Sequence, residues 1–158
     1  IVFDAQEELL EAFDRGELEK DFVAVVRFQG PKANGMPELH KLMPPLGVLL
    51  DRCFKIALVT DGRLSGASGK VPSAIHVTPE AIKGGILAKI QTGDLVELDT
   101  ETGVMDVLVS EDELATRETK VVDVTSHQIG MGREMFAGLR TTLTGAEEGA
   151  CSLFFGQD

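Results

Sequence analysis

The chain has 158 residues, 43% of them hydrophobic and 26% charged, with a mean hydropathy of +0.06. That fits one globular domain, or one with a tail, large enough to fold without a disulfide or a structural metal. Fifteen Lys and Arg against 26 Asp and Glu leave a net charge of −11, and there is no Trp or Tyr. This balance argues against nucleic acid or an anionic membrane as the main partner, while leaving a small anionic substrate open.

Asp4 and Glu7 have capping-box spacing ahead of Leu9, Leu10 and Phe13, and Gly16 follows, so a helix is predicted near residues 5–15. Residues 22–28, FVAVVRF, are β-branched and apolar and read as a buried strand. Gly30, Pro31 and Gly35 mark a loop. Pro37 then suits the first turn of a helix carrying Leu39, Leu42 and Met43, which Pro44-Pro45 should break or kink. Residues 54–60, FKIALVT, are a second buried strand running into DGRLSGASGK at 61–70, a Gly/Ser loop rich in free backbone N–H groups. Short strand-like stretches follow at 72–77, 86–90, 94–99 and 104–109, with turns at Gly93 and Gly103. Ser110 and Glu113 form a capping box for a short helix, and a last helix is predicted near 132–142. The fold class read from this order is α/β. A β-rich barrel or sandwich with helices outside is its natural architecture, because regular βαβ alternation does not run through the chain.

No run of 18 apolar residues predicts a membrane span, and no signal peptide opens the chain. Cys53 and Cys151 lie far apart, make no metal or redox motif, and read as reduced thiols. His40, His76 and His127 share no ligand spacing.

The 61–70 loop is the most unusual segment. A P-loop would need Gly where Leu64 stands and Ser or Thr where Val71 stands, and a nucleophile elbow fails at Arg63. A generic oxyanion-holding loop and a plain surface turn both remain open. Glu38, just after Gly35 and Pro37, is either a first-turn acid favouring a helix dipole or a metal-ligating carboxylate. Met131, Met135, Phe136 and Leu139 have helical spacing and read as core or interface.

Two long segments carry a resemblance. Residues 30–52 read GPKANGMPELHKLMPPLGVLLDR and residues 59–81 read VTDGRLSGASGKVPSAIHVTPEA. Both resemble the C-terminal part of the dihydroxy-acid/6-phosphogluconate dehydratase family, and the first is most similar to its members that act on 6-phosphogluconate. The resemblance covers residues 1–150, leaving 151–158 as a tail. It implies a swivelling β/β/α domain with a β-barrel-like core flanked by helices. It also implies a large N-terminal domain, outside this chain, that brings an iron–sulfur cluster, suspected to be 4Fe-4S, and further ligands of a Mg²⁺ or Mn²⁺ ion.

The reaction implied is hydro-lyase chemistry on a phosphorylated sugar acid: a base takes the C2 proton, the C3 hydroxyl leaves with iron as Lewis acid, and the enol becomes a 2-keto-3-deoxy acid. In this resemblance Ser65 matches the base and Glu38 the divalent-metal ligand. Asp61, Arg63, Gly66, Ser68 and Lys70 are the expected substrate contacts. A homodimer in the cytoplasm, inactive as an isolated domain, is implied as well. A dihydroxy-acid or other sugar-acid dehydratase domain is the nearest alternative, and a non-catalytic assembly module is the alternative from another class.

Overall fold

The computed structural model describes residues 1–65 and 69–153. Its centre is a parallel sheet of β1 (Val2–Phe3), β2 (Phe22–Val26), β3 (Ile56–Thr60) and β4 (Ser73–Ala74), in that spatial order. β2 and β3 run in register from Phe22 opposite Ile56 to Val26 opposite Thr60. Parallel neighbours need a crossover, and helices supply the first two. α1 (Gln6–Asp14) links β1 to β2. Two more, α2 (Pro31–Asn34) and α3 (Met43–Asp51), link β2 to β3.

The side-chain period of two divides the central strands between two cores. Ala24, Val26, Ile56 and Leu58 face α1 and α3, where Leu9, Leu42, Leu46 and Leu49 close a layer almost without solvent access. Val25 and Val59 face the other way, onto Phe28, Ala81, Leu87, Ala88 and Ile90. Burying one such leucine contributes about 1.5–3 kcal/mol, so this double-sided sheet is the main source of stability. An antiparallel hairpin, β5 (Val96–Asp99) with β6 (Val104–Val107), leans on the second core through Val96, Leu98 and Val107.

The α/β class stands, and several local expectations shift. Pro44 and Pro45 do not break a helix. They lie in the first turn of α3, where a missing N–H costs nothing. Residues 30–35, expected as a loop, carry the short α2, with Pro31 at its start and Gly35 at φ 69° closing it, and no helix starts at Pro37. Residues 37–39 run out as loop, and a 3₁₀ turn at His40–Leu42 leads into α3. Around α1, Ala5 occupies the cap without a side-chain bond, and the Glu8 carboxylate reaches back to the Asp4 N–H. The strand expected at 86–90 is a 3₁₀ turn, Ile86–Ala88, because a five-residue apolar run has no distinguishing period. The described strands pair as two sheets, the parallel four and the hairpin. α4 (Glu111–Thr116) forms as predicted, with the Ser110 hydroxyl accepting from the Glu113 N–H at 3.2 Å. The helix expected at 132–142 is a 3₁₀ turn, Arg133–Phe136, running into α5 (Ala137–Thr141). Gly132 at φ 81° marks its start. No helix of the described residues is long and apolar enough to cross a membrane.

Candidate active site

β3 ends at Thr60, and Asp61, Gly62 and Arg63 turn out over the carboxyl edge of the sheet. That is the edge where open α/β sheets place ligands. The turn packs against the segment that follows β2. A side chain at Gly62 would put its Cβ 2.7 Å from Gln29 Cβ and 2.8 Å from Leu39 Cδ1, so only glycine allows this approach.

Arg63 carries the contact onward. It forms an isolated parallel bridge with Glu38, its Nε donates to the Met36 carbonyl at 2.8 Å, and its Nη1 donates to Glu38 Oε2 at 3.1 Å. Two residues later the Ser65 N–H reaches Glu38 Oε1 at 2.9 Å and Oε2 at 3.1 Å. The His40 N–H donates to Oε1 at 3.0 Å. Glu38 and Ser65, 27 positions apart in sequence, therefore meet directly. The Ser65 hydroxyl is the main reason that the Glu38 carboxyl sits below the usual carboxylate range. The Ser65 and His40 N–H groups and the Arg63 charge act in the same direction. Ser65 donates its backbone N–H to this anion, and Arg63 supplies a positive charge beside it.

The other expected residues divide. Asp61 is 0% exposed, and its carboxylate accepts from the N–H groups of Phe28 (3.2 Å), Gln29 (2.9 Å) and Ala81 (2.9 Å). Burial pushes its carboxyl above the ordinary range, and those three bonds oppose the push. An acid directly after a buried strand has no water to solvate it, and here backbone amides take that place. Lys70 is exposed and its ammonium lies on Asp51 at the end of α3, 2.6–2.7 Å from both oxygens. Gly66 and Ser68 lie outside the described residues.

Sequence reasoning also missed Glu80. It is buried beneath α2, accepting from the Lys32 and Ala33 N–H groups, and it occupies the place a side chain at Gly30 would take. Burial raises its carboxyl, and the nearby Asp61 charge adds to this. The pairing of an acid with a glycine 50 residues away leaves no local signal. Backbone strain was equally invisible. Among the described residues six non-glycines have positive φ, and three of them are bonded to the 61–63 turn. Phe28 (φ 62°) donates to Asp61, Met36 (φ 53°) accepts from Arg63, and His76 (φ 57°) donates to the Gly62 carbonyl at 2.9 Å. Left-handed backbone at such residues costs about 1–3 kcal/mol each, and it clusters where function over-determines the geometry.

No group of three or more His, Cys, Asp or Glu side chains converges among the described residues. Glu38 thus offers one hard oxygen ligand of the kind Mg²⁺ or Mn²⁺ takes, not a complete set. Cys53 is exposed and Cys151 half-buried, and among the described residues neither belongs to a group of three or more such side chains. A concavity of about 600 Å³ opens at the opposite edge of the sheet, lined by Lys20, Phe22, Lys55, Ile56 and Asp94 among others. Its charged groups do not converge on a common point as those around Glu38 do.

Comparison with known proteins places this geometry in context. The chain is 63% identical over 155 residues to the phosphogluconate dehydratase of Escherichia coli K12, a match covering 98% of the chain and 26% of that protein. It is 57% identical to the phosphogluconate dehydratase of Rhizobium meliloti, over 97% of the chain and 25% of the relative. It is 43% identical to the dihydroxy-acid dehydratase of Aeropyrum pernix, over 94% and 26%. The chain spans about a quarter of the length of these curated relatives. The dihydroxy-acid/6-phosphogluconate dehydratase C-terminal model matches residues 1–150. Glu38 and Ser65 thus meet inside a segment matched from end to end, and the chain belongs to the dihydroxy-acid/6-phosphogluconate dehydratase C-terminal family.

Proposed function

We propose that this chain is the C-terminal, swivelling domain of a hydro-lyase that converts 6-phosphogluconate to 2-keto-3-deoxy-6-phosphogluconate and water. Ser65 accepts the C2 proton and Glu38 is a divalent-metal ligand. The observation that carries the reading is the direct contact of these two residues, from separate motifs, at the carboxyl edge of the sheet.

The local electrostatics set the requirement. A serine hydroxyl donating to a carboxylate keeps its proton, so it becomes a base only where positive charge offsets the Glu38 anion. Arg63 provides part of that charge from this chain, and it also holds the Glu38 carboxylate in place. A bound Mg²⁺ or Mn²⁺ ion would supply the positive charge that stabilises the serine alkoxide. Glu38 is this chain's contribution to holding it, and the N-terminal domain contributes the remainder together with the iron–sulfur cluster. Arg63 and Lys70 are the loop's cationic donors for an incoming phosphorylated acid. The whole enzyme is a cytoplasmic homodimer in this reading, and the isolated chain does not turn over.

The test is turnover of 6-phosphogluconate by the full-length protein carrying Ser65→Ala. Turnover falls by about 10²–10⁴-fold, as for removal of a general base, while substrate binding and iron content stay at the parent's level. Unchanged turnover sinks the assignment of Ser65. The similarity to a dihydroxy-acid dehydratase supports a second reading in which the substrate lacks the phosphate. A substrate panel separates the two, because preference for the unphosphorylated acid favours the second.

A further inference from the structure

We propose that Asp61 is a positioning residue for Ser65 and Glu38, acting through the backbone of three segments. The proposal rests on the reading of Ser65 and Glu38 given above. Asp61 is the first residue beyond β3 and has no solvent access. Its two oxygens bind the N–H groups of Phe28, Gln29 and Ala81, and so pin the exit of β2, the exit of β3 and the 80–81 segment to one point. Ser65 lies four residues beyond that point along the chain. Glu38 is reached from it by the 28–38 segment, whose α2 is held by Glu80, the residue next to Ala81. The non-glycine residues held left-handed at Phe28, Met36 and His76 are each bonded to Asp61, Arg63 or Gly62. Strained conformers persist only where bonds of this kind over-determine them. Shifting the 61–63 turn against the 28–38 segment would therefore change the Ser65–Glu38 distance directly.

Asp61→Asn keeps the shape but replaces one acceptor oxygen with a donor, which must then face at least one N–H group. The measurement is kcat and KM for 6-phosphogluconate, with melting temperature, in the full-length protein. Asp94→Asn is the control, since it breaks a largely covered ion pair with Arg117 at the opposite edge of the sheet. The expected result is a kcat about 10–100-fold lower for Asp61→Asn, as misplacement of about 1 Å produces. Its KM stays within about threefold, whereas Asp94→Asn lowers the melting temperature with kcat intact. Should Asp61→Asn not accumulate as folded protein, Gly62→Ala decides in its place. That variant pushes the turn off Gln29 and Leu39 without touching the carboxylate, and it is expected to lower kcat in the same way. Loss of melting temperature with unchanged kcat in the deciding variant overturns the proposal. If Ser65→Ala abolishes turnover while the deciding variant keeps it, only this inference fails. If Ser65→Ala itself keeps turnover, both the inference and the reading beneath it fall.

Discussion

Residues 1–90 and residues 91–153 are built differently. Among the described residues every buried one lies at or before Ile90, and none of residues 91–153 is buried. The first part is wound strand to strand around the parallel sheet and carries both Glu38 and Ser65. The second is draped over it. It is held by partly buried valines and by a few polar ties: Arg117 Nη1 to the Lys89 carbonyl, Lys120 N–H to the Ala88 carbonyl, and His127 Nδ1 3.4 Å from the Ala33 carbonyl. It also leaves Val121, Ile129, Met131, Met135 and Phe136 more than half exposed. The difference shows where rigidity is concentrated. A site that must hold a serine against a carboxylate to within a few tenths of an ångström sits on the part that buries its apolar surface on both faces of a sheet.

Substitutions of similar size should therefore differ in cost across the boundary at residue 90. The largest effect is expected for Leu46→Ala. Leu46 is fully buried in α3 against the sheet, and its truncation costs about 2–5 kcal/mol in chemical denaturation of this chain. A loss below 1 kcal/mol would mean that the α3 layer is not packed as described. Next comes Asp94→Asn. The Arg117 guanidinium, only 11% exposed, holds the Asp94 carboxyl below its ordinary range. Removing that partner costs about 1.5–3 kcal/mol at neutral pH. The sign of its pH dependence follows. Asp94 is depressed in the folded state, so its contribution is present above the ordinary carboxylate range and is lost as pH falls through and below it. The difference between variant and parent should shrink on acidification. A gap that widens towards acid would contradict the pairing.

This contrast also explains what could be read from the sequence. Phe22–Val26 and Ile56–Thr60 are legible because runs of β-branched residues buried on both faces leave a dense local signal. Ser110 was legible because a capping box is contained within four residues. Glu38 and Ser65 were nominated through long contiguous motifs, and their contact supports pairing them. The amide partners of Asp61 were not legible, because nothing local distinguishes an acid that meets substrate from an acid that meets three backbone amides. The distinction lies in Phe28, Gln29 and Ala81, which are 20 to 33 positions away. The Met131–Leu139 stripe was read as one helix because its apolar spacing is helical, while Gly130 (φ 86°) and Gly132 (φ 81°) turn the backbone and α-helix begins only at Ala137.

The two smallest effects sharpen the comparison from the draped side. Ser110→Ala removes the one side-chain bond that starts α4 and costs about 1 kcal/mol. That is less than the core truncation, because α4 buries none of its residues and the cap is a larger share of what holds it. Met131→Ser should change the stability of this chain by less than about 0.5 kcal/mol. Met131 is 98% exposed at φ 53°, so serine removes no contact and no packed volume here. Chemical denaturation of this chain measures both. A Met131→Ser loss of 2 kcal/mol would show that the stripe is packed within the chain after all, and the boundary at residue 90 would have to be redrawn to include it. A null result in this chain, set beside the loss in Leu46→Ala, would place the energy of the fold where the site is built.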